Sequence, residues 1–508
     1  MLVRVLFAIM ALLFAASAAQ AHAYGERYDL PVPLWMNLVA GSAVVVLSFV
    51  MAAAFLQPAK ERATPQANLL AMPWLRALGS DGVLLAAKIF SVFLFAVALL
   101  AGFVGLPDYS RNAAPTIFWV IGWVGLAFAS VLLGNIWLLV NPWLILFEWA
   151  DVLWRRLTSR GLSFELPYPR RLGMLPGILM IVGFTWFMLA SGLAGDSRAL
   201  ACAVAFYSVV TWIGMLAFGA PAWLAHGEAF TLLFGVLARF SPTALRVADR
   251  EICRRADCPP DDNGECTDCP EAFLLAPPEK REITLRGYGV GLIVQHPLSL
   301  SMVIVALMIL ALVAFEGFMD TAQWIDLMVA LGEPEVSAGI LASAKTTLMF
   351  VLTTAVLFIL FYMVSALMRA IGYQGRMREY NTIEIMGLFV LSLIPISVAY
   401  HIAHYLYWFV TQIQFVIPAA SDPFAFGWDL FGGRDFVPDR AAIPLKVIWH
   451  TAVVAIVIGH VIAVYVAHRV ALNVFGPLRA TLSQIPMLLL MVGYTMTSLW
   501  MLAQPIMG

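Results

Sequence analysis

The sequence predicts an all-α fold, a polytopic integral membrane helical bundle, and two observations carry that prediction. Of its 508 residues, 62% are hydrophobic and only 12% are charged, more apolar surface than a soluble core can hide. The apolar residues also gather into runs of roughly 20–25, each long enough to cross a bilayer core. A net charge of −1 argues against nucleic acid as a partner, and the bilayer is the expected one.

Residues 1–21 read as a cleavable signal peptide. Arg4 precedes an apolar stretch, and Ala19-Gln20-Ala21 supplies small residues at the −3 and −1 positions. Cleavage there makes His22 the mature N-terminus, outside the inner membrane; cleavage after Ala23 fits the same rule. Ten spans follow, near 35–57, 83–105, 116–138, 172–195, 200–225, 298–318, 346–370, 382–410, 443–467 and 482–504. They divide into a five-helix half over 22–225, a loop over 226–297 and a second five-helix half over 298–508. With the N-terminus outside, the inner loops hold about three times the Lys and Arg of the outer ones, Arg155, Arg156, Arg170 and Arg171 among them. That bias predicts a multi-pass protein of the bacterial inner membrane with the 226–297 loop in the cytoplasm.

Two segments break the simple pattern. Asn141-Pro142-Trp143 interrupts the third span, because proline disfavours helix in the residue before it. The stretch after it reads as an interfacial helix carrying Trp143, Trp149 and Trp154, with a re-entrant segment as the alternative. Past Gly227-Glu228, a helical apolar pattern to Phe240 reads as a helix along the membrane surface.

The same loop carries Cys253, Cys258, Cys266 and Cys269, with Pro259, Pro260 and Gly264 forming a turn between the pairs. Four thiolates so close in a reducing compartment suggest a structural zinc site, and disulfides are disfavoured there. Cys202 reads as an ordinary buried thiol in the fifth span.

The chemistry-bearing residues lie toward the outside. His401 and His404 stand three apart near the outer end of the eighth span, and an ionisable group inside a membrane is a functional hypothesis by default. Counting about 1.5 Å per residue puts His450, on the ninth span, level with them and leaves His460 deeper, as a proton-path residue. His226, His296 and His468 read as surface or interfacial residues. Pro395 should kink the eighth helix. His22 adds an amine and an imidazole nitrogen on the same side; Asp29, Glu316 and Asp320 add carboxylates. The expected site is therefore a divalent metal, zinc or copper, on His401, His404, His450 and His22. His460, Asp29 and Glu316 would handle protons.

No nucleotide-binding loop, nucleophile elbow or internal repeat appears. Membrane-embedded charge is sparse: Lys88 can snorkel inward, and Glu148 and Arg369 sit near the cytoplasmic face. That sparseness weighs against an ion-coupled transporter.

Several segments together resemble a known group. They are Gly25-Glu26-Arg27-Tyr28-Asp29-Leu30-Pro31-Val32-Pro33-Leu34, the run Tyr400 to Tyr405, Ser421-Asp422-Pro423-Phe424, Gly427-Trp428-Asp429-Leu430-Phe431-Gly432 and Gly493-Tyr494-Thr495-Met496. Nearly the whole chain resembles polytopic bacterial membrane proteins named fenitrothion hydrolase, after an activity on an organophosphorus triester. The resemblance implies hydrolysis of phosphotriester-like substrates, with a small apolar molecule as partner, and assigns no residue roles. A metal at the outer histidines would supply hydroxide near neutral pH for such a reaction. The rival expectations are a copper-handling or redox protein using His22, and a metal or small-molecule transporter whose histidines relay protons.

Overall fold

The computed structural model describes residues 33–56, 67–255, 264–332, 340–373 and 380–504. Among these, nine helices are long and apolar enough to cross a membrane. In chain order they begin with α1 (Leu34–Phe55), α2 (Asp81–Val104) and α3 (Ala113–Leu132, largely a π-helix). Next come α4 (Pro142–Thr158), the shorter apolar α5 (Leu175–Ala190) and α6 (Ser197–Phe218). Two short helices, α7 (Ala220–His226) and α8 (Ala229–Ala238), lead to a small sheet. The second half holds α11 (Leu300–Met319), α12 (Ile340–Gly372), α13 (Thr382–Ser421), α14 (Leu445–Phe475) and α15 (Pro477–Leu502). The all-α membrane bundle expected from composition is the fold found.

The sheet is the first departure. Strands β1 (Ala67–Asn68), β2 (Thr243–Val247), β3 (Cys266–Thr267) and β4 (Arg281–Leu285) pair antiparallel in the order β1-β4-β2-β3. Two helical turns, α9 (Arg250–Arg255) and α10 (Pro270–Leu275), pack on it. Arg281, almost fully buried, fastens this cap to the bundle. Its guanidinium meets Asp81 at the start of α2 at 2.7 Å and donates to the carbonyls of Gly79, Phe273 and Leu274. Cys253 and Cys266 are joined in a disulfide inside the cap, where free thiols were expected. In this form they offer no thiolate, so the expected zinc set concerns only a reduced loop. Cys269 is also disulfide-bonded, and Cys258 lies outside the described residues.

The cap defines two ends of the bundle: a sheet face, and an opposite face marked by Asp320. Packing shows how the helices run between them. Gly459 lets α14 approach Ala399 and the Pro395 carbonyl of α13, so these helices are antiparallel. A 3₁₀ turn, Val390–Leu393, interrupts α13 just ahead of Pro395.

The second departure is deeper. Neither α4 nor α8 lies at the surface along its length; both begin in the middle of the bundle. Tyr207 and Ser208 stand at the midpoint of the 22-residue α6. Tyr207 donates its hydroxyl to Glu228, the residue that caps α8, and Trp143 at the start of α4 donates to Ser208 Oγ at 2.7 Å. At about 1.5 Å per residue, both half-helices thus start roughly 16 Å inside the sheet face. The two chain reversals that carry them there are Gly134 to Val140 and α7.

The caps of these half-helices meet. Asn141 accepts from the amides of Trp143 and Leu144, and its Nδ2 donates to Glu228 Oε2 at 3.4 Å. Glu228 is fully buried. It also accepts from the amides of Phe230 and Thr231, the Thr231 hydroxyl and Trp137 Nε1. Two positive helix ends and this set of donors neutralise a carboxylate that has no basic partner among the described residues. Trp143 is accordingly buried, and only Trp149 and Trp154 reach the exposed part of α4.

Replacing Glu228 by Leu should lower unfolding free energy by on the order of 3 kcal/mol, because several buried donors lose their acceptor. Reversible unfolding in mixed micelles measures this against Glu279→Leu, an exposed control expected within about 0.5 kcal/mol. Equal losses in the two variants would remove Glu228 from this role.

Candidate functional site

Three elements build the site. Near the Asp320 face, α11 presents Glu316, with Asp320 one turn further out. Packed on it, α13 presents Ser397, His401, His404 and Tyr405, whose spacings of three and four turn them toward one side. The third wall is Trp123 of α3 with Leu233 and Leu237 of the half-helix α8. These side chains other than His404 and Asp320, with Ile309, Leu312 and Val313, enclose a cavity of about 10 Å³, the space a single water needs.

The polar contacts converge on Glu316. The Tyr405 hydroxyl donates to Glu316 Oε2 and accepts a 3.4 Å bond from Trp123 Nε1. The His404 Nε2 lies 3.6 Å from the other oxygen, Glu316 Oε1, a distance for an ion pair rather than a hydrogen bond. Glu316 and His404 side chains are each 18% exposed, so the pair is shielded without being sealed. The His404 ring also stacks nearly parallel on Tyr400, which fits against the helix backbone at Gly317, where a Cβ would collide with its hydroxyl. Asp320, just beyond α11, has its carboxyl pushed up by burial; His404 opposes this and Glu316 adds to it.

His401 sits deeper and faces differently. Its ring lies edge-on to Trp123 and Phe128, at centroid distances of 5.8 and 5.6 Å, and 4.6 Å from Tyr405. Its Nε2 and the hydroxyl of Ser397, one turn below, are both buried without a hydrogen-bond partner and both belong to residues lining the cavity. Unpaired buried polar atoms are uncommon, and two beside one water-sized space mark it as a polar station.

The expected histidine set divides. His401 and His404 come together around Tyr405, and Glu316 joins them. His450 does not. The Gly459–Ala399 contact places His450 nine residues nearer the Asp320 face than Gly459, level with Trp408 rather than His401. It is exposed, with Nδ1 on its own helix carbonyl at Lys446, 2.6 Å away. His460 is the residue level with the site, and it is fully buried. The depth count erred because α13 continues to Ser421, past the expected span end at residue 410, so His401 lies deeper than counted, whereas α14 begins at Leu445, close to the expected 443. His468, read as interfacial, is buried against Phe49 and Gln484. His22 and Asp29 lie outside the described residues.

Among the described residues, no three His, Cys, Asp or Glu side chains converge as metal ligands. His401 is wedged among aromatic rings, His404 is turned to a carboxylate and His450 faces away. These donors do not fit the expected metal set, and no step is derived through a metal. What the arrangement can do is move protons: a carboxylate is flanked by an imidazole and a phenol, with a second carboxylate one turn outward. Tyr405, Trp123 and Ser397 were missed in the sequence, although Tyr405 stands four residues after His401 in the same motif.

The fold and this site define a class, a multi-pass membrane protein with a buried acid–base cluster. No protein-family model, curated protein or solved structure matches the chain.

A double-mutant cycle of Tyr405→Phe and Glu316→Gln should return a coupling of about 1 kcal/mol in unfolding free energy. His450→Ala should change stability by no more than about 0.5 kcal/mol. A coupling indistinguishable from zero would remove the Tyr405–Glu316 bond from the site.

Proposed function

We propose that this protein is a proton-translocating membrane transporter. In this reading the Glu316–His404–Tyr405 cluster takes up protons from the outside and couples them to passage of a small solute. The observation that carries it is the shared carboxylate: Glu316 binds Tyr405 and faces His404 beside a cavity whose far wall is the half-helix α8. A proton arriving through Asp320 and His404 neutralises Glu316. Neutralisation removes the charge attraction to His404 and weakens the acceptor that holds Tyr405. Both changes fall on α11 and α13, the helices that enclose the cavity with α8. Broken helices that meet near the midplane are a recurrent feature of secondary transporters, which supports transport over a static site.

The cavity also weighs against a substrate being held in this conformation, since about 10 Å³ admits water and not a phosphotriester. Hydrolysis of an apolar triester remains the second reading. It draws on the family resemblance and on the His404–Glu316 pair, in which the carboxylate would orient an imidazole acting as general base on water.

One preparation tests both readings. Full-length protein is reconstituted into liposomes with a trapped pH dye, and a potassium diffusion potential drives proton entry. Wild type should acidify the lumen several-fold faster than protein-free vesicles, and Glu316→Gln should reduce that rate at least fivefold. Wild-type flux at the protein-free level would reject the transport reading. A chromogenic phosphotriester added to the same vesicles decides the second reading: product release lost in His404→Ala supports it, and none from wild type ends it.

A further inference from the structure

A second group of buried polar atoms lies on the other side of α13 from the cavity and plays no part in the cluster just described. It sits where α1, α14 and α15 pack on one another. Five side-chain atoms there are buried without a hydrogen-bond partner: Asn37 Nδ2 and Ser42 Oγ on α1, Tyr494 Oη and Ser498 Oγ on α15, and His460 Nε2 on α14. An unpaired polar group is costly in an apolar interior, and five in one three-helix seam are not explained by packing.

Their depths are ordered. Gly41 packs on Thr495 and Leu499, and Phe49 and Gln484 both meet His468, so α1 and α15 run antiparallel with Leu34 and Leu502 at the Asp320 face. At about 1.5 Å per residue, Asn37 and Ser498 lie roughly 5 Å below that end, and Ser42 and Tyr494 roughly 12 Å below it. His460 is deeper still, beside the Pro395–Ala399 turn of α13, with its ring centroid 6.5 Å from that of Tyr494. The residues therefore form steps from one face toward the middle of the bundle.

The last step has a defined chemistry. His460 Nδ1 lies 2.8 Å from the Ile456 carbonyl, which can only accept, so Nδ1 carries a hydrogen. In the neutral ring, Nε2 is then a bare acceptor. Tyr494 offers a hydroxyl; it also borders a cavity of about 20 Å³ between α11, α12, α13 and α15, outside the seam and otherwise lined by apolar side chains.

We propose that α1, α14 and α15 enclose a hydrated half-channel, open at the Asp320 face and ending at His460, whose ligand is a short chain of water. Water satisfies both donors and acceptors along the seam, and such a file carries protons as hydronium to the His460 lone pair. The half-channel does not depend on the transport reading, because hydration of the seam can be measured whether or not Glu316 passes protons.

The test is cysteine reactivity in lipid nanodiscs, which leave both faces accessible. A membrane-impermeant methanethiosulfonate, which needs water around the thiol, is applied to full-length Ser42→Cys and Ser498→Cys. The comparison is Val46→Cys, one turn deeper than Ser42 on α1 and exposed at the bundle surface, with labelling at native Cys202 read separately by peptide mass. Both seam positions should react at least tenfold faster than position 46; rates within twofold of it would overturn the half-channel. A second measurement avoids seam substitutions in the protein under test. Water-edited ¹⁵N solid-state spectra of the wild type should show rapid transfer from water to the His460 ring, assigned by its loss in His460→Gln. No transfer to that ring would overturn the proposal as well.

Discussion

The architecture depends on one buried carboxylate. Glu228 sits near the midplane with two helix N-termini aimed at it and with Tyr207, Trp137, Thr231 and Asn141 donating to it. Without an acceptor there, the caps of α4 and α8 would leave amides and side-chain donors unpaired in an apolar medium. With it, two chain segments can turn back inside the bundle instead of crossing it. The aromatic packing around them, Trp143 stacked on Phe230 and Trp137 against Phe234, then fills the space beside the node.

This node positions the functional cluster, though it touches none of its members. Because α8 starts at Glu228, Leu233 and Leu237 reach the cavity that Glu316, Ser397 and His401 line from the other side. The bundle is thus divided into an anchored wall, pinned by Glu228 and by the Arg281 clamp at the sheet face, and a wall of α11 and α13 that carries the acid–base groups. A change in charge at Glu316 acts between these walls. The transport proposal rests on this arrangement.

Expectation and structure part company at identifiable places. Of the histidine motif, His404 faces Glu316 and His401 lines the same cavity. The partner chosen for them on α14 was wrong by about ten residues. Helix ends read from hydropathy miss turns that carry a helix on, and Gln412 to Ser421 is such an extension of α13. The surface helix expected after Gly227 was misplaced for a related reason. Its apolar pattern runs all the way round, which signals burial, but a ten-residue helix is too short to cross and nothing local shows what surrounds it. The sheet could not be foreseen because β1 and β4 are more than 200 residues apart and β1 is two residues long.

By itself the sequence determined the class of the protein, the approximate spans and the two motifs that bear chemistry, Tyr400 to Tyr405 and the Glu316–Asp320 pair. Those follow from local properties: apolar run length, and helical spacing that puts i, i+3 and i+4 on one side. Only the tertiary structure decided that Asn141 and Glu228 cap facing half-helices, that Tyr405 rather than a third histidine completes the cluster, and that His460 ends a separate polar seam. Each of those depends on which helices touch and at what register. In a membrane, where every helix is apolar, that choice is made by close-packed glycines such as Gly317 and Gly459 and by a few buried hydrogen bonds, not by hydrophobicity.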